Sequence, residues 1–521
     1  MRLPSIAELE IPQRSGDVVC VPPGPDLLEL ARTNAERLQN SRTRIGGVPL
    51  SEFRAQTRAR LLTRAAEFTA AAGIPVAASS PGDLVVVTGH QPFFFHPGIW
   101  IKHLLVDRLA GMGAAGLSMA VDGDTFDEIG VDVPALDGRL RRVREILVTA
   151  PADVPYEAQP APSDQVWEAF LARVGTTLST LRHTDIPGAF AAFAQRSPRP
   201  GGQCIGEFIT QARRRYEGPR RYLELPVSQM SDTEEFRRFI LHILADAERF
   251  ADIYNRRLRA YRQENNIRTT AQPFPDLGAA GDAAELPFWL VHGGRRLPLF
   301  GRRSGDAYRL MVGTTEVAAL TRRVPEELEG LAIRPRAVTL TAFTRLCVAD
   351  LFVHGIGGAR YDRVTDAVIR DFFELQPPQY AVATAAVHLP LAADDTAPEL
   401  QHLRRRLLEL QHNPERVLHA PSGEQRRLIE EKWKLIDDLE RAPLSRKIRR
   451  HATQRIRQIN ETLSAALETE RDAVERRLAA LEDTHGSDTV AASRTYPFCF
   501  FSPQTMDELV SRQLEERVGG H

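Results

Sequence analysis

Leu84-Val85-Val86-Val87-Thr88-Gly89-His90-Gln91-Pro92-Phe93-Phe94-Phe95-His96-Pro97-Gly98-Ile99 is the stretch that decides the fold. Its first five residues, entered through Pro81-Gly82-Asp83, are a short β-branched run of the kind a strand buried on both faces requires. The loop from Gly89 to Gly98 then gives way to Ile99–Ala110, where Ile101, Leu104, Leu105 and Leu109 form the apolar stripe of a helix. Leu117–Val121 follows as another apolar run. Strand, loop, helix, strand is a βαβ unit, whose crossover between parallel strands is nearly always right-handed.

Working outward, residues 160–270 read as mainly helical, and Glu234–Arg262 carries an apolar face of Phe236, Phe239, Ile240, Ile243 and Leu244. Phe288–Val291, then His292-Gly293-Gly294, then Leu297–Phe300 predict a hairpin with a glycine turn. Val338–Phe343 and Leu346–Val353 are further strand candidates, the second ending in His354-Gly355-Ile356-Gly357-Gly358 before a helix from about Arg360 to Glu374, and Tyr380–Val387 is another strand. The expected class is α/β. Residues 1–80 form a helical entry segment, and 81–395 a parallel-sheet core with a helical insertion at about 160–270 and a small antiparallel insertion at about 285–315.

Residues 396–485 contain no legible strand. Leu428 with Leu435, Ile429 with Ile436, Ile459 with Ala466 and Ala473, and Leu467 with Val474 and Leu481 recur at seven residues. That spacing predicts a coiled-coil hairpin, broken near Arg441-Ala442-Pro443 with Ser445 capping the second helix. Residues 486–521, with the aromatic run Tyr496–Phe501, are expected to dock back on the core.

Composition narrows the function classes. The 521 residues carry 67 basic against 68 acidic side chains, so nucleic-acid binding through bulk positive charge is disfavoured. No run of about 18 apolar residues and no apolar leader after Met1-Arg2-Leu3-Pro4 is present, which predicts a cytoplasmic protein without a membrane partner. Cys20, Cys204, Cys347 and Cys499 lie too far apart for a paired framework and read as reduced and inert. Four lysines (Lys102, Lys432, Lys434, Lys447) stand among the 67 basic residues, and Lys102 alone falls in the first 431. A lysine retained where arginine otherwise serves hints at work for a compact ammonium.

Three segments at predicted strand ends carry candidate chemistry. Thr88, Gly89, His90, Gln91, His96 and Gly98 lie between a buried strand and a helix N-terminus, where free N–H groups suit a phosphate or carboxylate. His96-Pro97-Gly98-Ile99 partly resembles the H-x-G-H element of nucleotidyltransferase-like enzymes, without its last histidine. Asp122-Gly123-Asp124-Thr125-Phe126-Asp127-Glu128 would emerge on the same edge, able to hold Mg²⁺ or an amino group, or else to form a solvated acidic turn. Gly357, Gly358 and Arg360 repeat the design at a later strand end, the competing reading being a tight turn with a capped helix. Arg213-Arg214-Arg215 and Arg220-Arg221, interleaved with Tyr216 and Tyr222, read as a solvated helix end ahead of a phosphate or RNA clamp. His90, His96 and His103 lack the spacing of a helical zinc pair, so no metal ligand set is assigned. There is no P-loop, nucleophile elbow or kinase set.

Val86-Val87-Thr88-Gly89-His90-Gln91, the helix bearing Lys102, the acidic run Asp122–Ile129, Arg334-Pro335 and Leu351–Gly358 together resemble the bacillithiol biosynthesis cysteine-adding enzyme family, BshC. That family shows a T-G-Q-Q loop, a downstream helix lysine and an acidic E-D-H-D-F-E-E-I run. In this chain His90 replaces the first glutamine, and Gly123, Asp124 and Thr125 replace Asp, His and Asp. Motif identity is confined to about 40 residues, while element order matches over most of the chain. The resemblance implies a Rossmann-like, nucleotidyltransferase-related core, a coiled-coil domain used in homodimerisation, and ligation of cysteine to glucosaminyl-malate. His90-Gln91-Pro92 with the phenylalanines after it also resembles the opening of the WbqC-like family over about a dozen residues.

The expectation is a BshC-like ligase joining an amino acid to an amino-sugar conjugate, with His90, Lys102, Asp122 and Asp124 catalytic and Asp127 and Glu128 on the substrate amine or a metal. Amide formation needs an activated carboxylate, so a nucleotide is expected if the reaction is a ligation; the cofactor is otherwise left open, with ATP and Mg²⁺ as candidates. The alternatives are a nucleotidyltransferase using the His96 turn and a non-catalytic coiled-coil scaffold.

Overall fold

The computed structural model describes residues 9–78, 83–137, 139–181, 184–269, 272–305, 307–391, 397–441 and 446–515. The chain divides into two compact units, one of Met1–Val133, Val143–Leu389 and Arg494–His521, the other of Pro134–Arg142 and Pro390–Ser493. Among the described residues no helix is long and apolar enough to cross a membrane.

The chain opens with β1 (Val18–Val21), α1 (Leu27–Gln39) and α2 (Leu50–Ala71). β2 (Val85–His90), α3 (Pro97–Gly111) and β3 (Ala115–Ala120) are the expected βαβ unit. A hairpin of β4 (Glu128–Asp137) and β5 (Arg139–Thr149) leads to α4 (Asp164–Leu178), α5 (Ile186–Arg196) and α6 (Ile205–Glu217). Next come β6 (Leu223–Pro226), α7 (Glu234–Leu244) and α8 (Ala247–Glu264). An antiparallel sheet is built from β7 (Ala283–His292), β8 (Arg295–Ser304), β9 (Ala307–Val312), β10 (Thr315–Leu320) and β11 (Ile333–Pro335), in the order β10-β9-β8-β7-β11. Then follow α9 (Ala337–Phe343), β12 (Leu351–His354), α10 (Ile356–Phe372) and β13 (Ala381–Ala385). The helices of the second unit are α11 (Ala397–His412), α12 (Gly423–Arg441), α13 (Arg446–Ala465) and α14 (Glu468–Ala491), after which α15 (Pro503–Glu515) belongs to the first.

Among the described residues the principal sheet has six strands in the order β1-β13-β12-β2-β3-β6. The five from β13 to β6 are parallel, with Val353 beside Thr88 and Thr88 beside Ser118. β1 runs antiparallel along the edge, Val18 against Ala385. β3 and β13 are buried at every position, so their text lacks the alternation of a half-exposed strand and carries only Ser118 and Thr384 as polar side chains. One core joins the two sheets, with Val87 and Leu117 in the same cluster as Leu286, Phe288 and Leu290.

Several expectations are corrected. The entry segment is not wholly helical, because Val18–Val21 pairs with the β13 backbone that would otherwise be an open edge. Leu223–Pro226 is a strand inside the region read as helical. Glu234–Arg262 is two helices, parted at Ala245-Asp246. Ala337–Phe343 is helical, followed by one π turn at Thr344–Val348. Short apolar runs do not separate strand from helix, and here Thr339 and Thr344 return their hydroxyls to Arg336 O and Leu340 O. The antiparallel insertion is also larger than 285–315, reaching Leu320 and recruiting Ile333–Pro335.

Asp350 ties these pieces together. Its fully buried carboxylate accepts from Arg54 Nη2 at 2.8 Å, Arg58 Nη2 at 2.5 Å and the Val85 N–H at 2.8 Å, so α2 is fastened to the start of β2. Of the predicted solvated arginine cluster, Arg213, Arg214 and Arg220 are buried, while Arg215 and Arg221 are partly exposed. Arg213 reaches Glu217, Glu224 and the Tyr222 hydroxyl, Arg214 reaches Glu217, and Trp100 of α3 donates to Glu217 at 2.8 Å. Burial opposes ionisation of Glu217, but Arg213 and Arg214 outweigh it and hold the carboxyl down to about 2. The cluster is an internal support for α3.

In the second unit α11 packs on α14 and α12 on α13, with Leu410, Val417 and Val474 buried. Lys432 is buried too, donating to Glu415 at 2.7 Å and to His412 O at 2.9 Å. Of the heptad positions, Ile459 and Val474 are buried while Ala466 and Ala473 are exposed. The predicted break at Ala442 and Pro443, the cap Ser445, the Leu481 side chain and the Pro81-Gly82 turn lie outside the described residues.

Candidate functional site

A cavity of about 790 Å³ opens in the first unit at the carboxyl ends of β2 and β12. From β2 the chain crosses to β3 on one side, and from β12 to β13 on the other, so the strand order switches between them. Open α/β sheets hold ligands at this position because the two crossovers diverge and leave a crevice. The helices that follow, α3 and α10, begin on its wall with Gly98 and Ile99, and with Gly357 and Gly358. Their first-turn N–H groups carry partial positive charge.

α3 is placed by its own sequence. His96 caps it, Nδ1 accepting from the Gly98 N–H at 3.1 Å, and Pro97 takes the first helical position. Gly98 sits so close to β13 that a Cβ there would lie 2.6 Å from Ala385 O and 2.9 Å from Arg494 Nη2. Thr384 Oγ1 also donates to Gly98 O at 3.0 Å. Gly98→Ala is therefore expected to cost about 1–3 kcal/mol. It should also displace the helix end, which a thermal melt and a phosphate-binding isotherm would register together.

Lys102 is 4% exposed, and its Nζ donates to Gly89 O at 3.0 Å. Burial pushes its pKa down to about 8. His90 is pushed down to about 3 by burial and by Lys102, and His96 to about 4 by burial, Arg494 and Lys102. Burial pushes all three toward neutrality and Lys102 adds to it at both histidines, which an incoming anion would reverse.

Most of the sequence-predicted residues meet here. Gly89, His90, Gln91, His96, Gly98, Lys102, Asp124, Gly357 and Gly358 all line the cavity. Thr88 lies within the sheet, its hydroxyl donating to Val353 O. Asp127 and Glu128 face away, exposed, and Glu128 pairs with Arg144 at 2.8 Å. Arg360 donates to Leu9 O. Asp122 lines a smaller neighbouring cavity of about 170 Å³ with Glu157, Cys204 and Glu207. The four acids therefore do not act as one group. Asp124 has both oxygens engaged, accepting from Gln91 Nε2 at 2.9 Å and Arg296 Nη1 at 2.5 Å. Among the described residues no three histidine, cysteine or acidic side chains gather as a metal site. The cysteines are free, Cys347 and Cys499 being buried.

Asp122 accepts from both the N–H and the hydroxyl of Ser228, yet burial and then Glu157 push its pKa from 3.8 up to about 7. The folded state thus favours its protonated form. That contribution to stability is complete below about pH 4 and is lost as pH rises through about 7. Asp122→Asn should flatten this part of the profile, as read by denaturant midpoints between pH 4 and 7.

Sequence reading missed the far wall. Trp289, Arg296 and Arg336 come from the antiparallel sheet and its exit, with the Arg336 guanidinium 3.8 Å and that of Arg296 4.7 Å from the Trp289 ring centre. Arg494 arrives from beyond the second unit. No motif marks these residues, since only tertiary folding brings them in. His354 and Asp362, in the glycine-rich turn and the helix after it, were legible by type but stood without an assigned role. No family model matches this chain, and no curated protein matches it.

Proposed function

We propose that the first unit is a Rossmann-like, nucleotidyltransferase-related core and that the protein is a BshC-like carbon–nitrogen ligase, joining cysteine or another amino acid to an amino-sugar conjugate such as glucosaminyl-malate. One observation carries the reading. Segments that resemble the family but lie far apart in sequence, the loop at Gly89-His90-Gln91, the helix lysine Lys102, the acidic run at Asp124 and the Gly357-Gly358 turn, line one cavity at the switch point of the sheet, with His90 and Asp124 standing where the family has glutamine and histidine.

In this reading the N-termini of α3 and α10 with Lys102 hold the anionic group of an activated carboxylate. They stabilise the charge that builds on oxygen as the amine attacks. Gln91 and Asp124 fix the loop, and Arg296 fastens both to the antiparallel sheet. ATP is the activating cofactor, and any Mg²⁺ would be held mainly by its phosphates, because Asp124 is already engaged. Helices α11–α14 serve as a coiled-coil domain for homodimerisation, and the protein works in the cytoplasm.

The test is to incubate the full chain with ATP, cysteine and glucosaminyl-malate and to look for the condensed product by mass spectrometry. Pyrophosphate release instead of phosphate would mark adenylyl transfer at His96. A scaffold predicts no product and no effect of His90→Ala.

A further inference from the structure

His354 ends β12 and lines the cavity, and its ring is held from behind. Its Nε2 lies 3.0 Å from Asp362 Oδ2, and that oxygen also takes Arg345 Nη1 at 2.5 Å. Arg345 is fixed in turn by Asp366 at 2.6 Å and by Pro378 O. Burial opposes ionisation of Asp362, but Arg345 and His354 outweigh it and keep the carboxyl at about 2. An ionised carboxylate only accepts, so Nε2 carries the ring proton and Nδ1 holds a lone pair. Among the described residues Nδ1 makes no hydrogen bond, and it sits over the first turn of α10, where a Cβ on Gly358 would lie 3.0 Å from it. Phe352 and Tyr380 pack against the ring, with centroids at 4.4 and 4.9 Å.

We propose that His354 is the general base of this site, with Asp362 and Arg345 as its positioning residues. The inference rests on the ligase reading and assigns the proton-transfer step within it. The acceptor amine, as its free base, attacks the acyl carbon of a phosphate-activated carboxylic acid. The C–N bond forms, the carbonyl electron pair moves onto oxygen, and the N–H proton passes to Nδ1. The pair then returns, the C–O bond to phosphate breaks, and phosphate leaves with its electrons. Nδ1 gives its proton to solvent, so the step is redox-neutral.

The titratable and charged groups facing the ring are Asp362 on α10, Arg345 on the π turn, Lys102 on α3 and Tyr380 just before β13. Burial above all, with Arg345 and Lys102, lowers the pKa of His354 against the pull of Asp362, so the base stays unprotonated near neutral pH.

Two arms test this on the full chain. With ¹⁵N-labelled histidine, and His354→Gln assigning the signal, NMR should show the Nε2–H tautomer with Nδ1 unprotonated from pH 7 to 8, and Asp362→Asn should disturb it. A proton resident on Nδ1 overturns the proposal whatever the substrates are. With ATP, cysteine and glucosaminyl-malate, His354→Gln should lower kcat at least about 100-fold and remove the acid limb of the pH profile. Asp362→Asn should lower kcat with KM unchanged, and the Tm gain from glucosaminyl-malate should persist in both variants. A loss under tenfold in His354→Gln overturns the proposal. If the wild type is silent with these substrates, the ligase reading falls and the base is judged on acetyl phosphate hydrolysis. There, wild-type rates no greater than those of His354→Gln overturn it.

Discussion

Lys102→Met is expected to abolish anion binding in the cavity and at least about 100-fold of turnover. Its melting temperature should be unchanged or higher. A buried ammonium bears a desolvation cost that a methionine of similar reach does not, so a purely structural Lys102 would be a poor choice. The ammonium of Lys102 makes one hydrogen bond, to Gly89 O, and that bond does not offset the burial that pulls its pKa down to about 8. An anion at the N-termini of α3 and α10 favours the charged form and raises that pKa. Pyrophosphate binding at pH 8 to 9 should therefore take up a fraction of a proton. Titration calorimetry in buffers of different ionisation enthalpy measures this, and Lys102→Met should show neither the binding nor the buffer dependence. Full binding in the variant would remove Lys102 from the site.

Asp350→Ala is expected to cost about 3–5 kcal/mol of stability, because it leaves the buried Arg54 without its counter-charge and strips the Val85 N–H of its acceptor. The Arg54 guanidinium already has its pKa lowered to about 10 by burial and by Arg58. Denaturant unfolding should show a lower midpoint. An Arg54→Met, Asp350→Leu double variant should recover part of the loss, because the costly species is the unpaired charge. A midpoint shift within error for Asp350→Ala would mean that water reaches Arg54.

The parts of the fold legible in the sequence are those with local signatures. Val85–Val87 is an unbroken apolar run, Leu117–Ala120 is apolar but for Ser118, and Gly293-Gly294 marks its hairpin without help from distant residues. The edge strand Val18–Val21 was not legible, because what makes it a strand is the waiting backbone of Ala381–Ala385. Arg213 and Arg214 misled for a related reason. Arginines at a helix end ordinarily face water, and only the fold brings Glu224 of the next strand beneath them. In the site, the near wall was readable because a strand, a loop and a helix N-terminus follow one another in the chain. The far wall of Trp289, Arg296 and Arg336 was not, and neither was the separation of Asp122 from Asp124. Asp122 and Asp124 lie in the turn after the strand, and which of them faces the cavity depends on partners such as Ser228.

The edge strand and the returning tail have a consequence for how a ribosome delivers this protein. β1 emerges early but has no partner until Ala381–Ala385 has been made. Phe498, whose N–H closes on Phe95 O at 2.8 Å and whose ring joins Phe94, Trp100 and Phe193, is made some hundred residues later still. A nascent chain already holding the βαβ unit exposes an unmatched sheet border until Ala385 is made and an aromatic hollow until Phe498 is made. Such long-range closures are slow and invite association between chains. Synthesis of this protein would therefore lean on holding chaperones until Phe498 has been made, and its yield should depend on translation speed more than its final stability suggests.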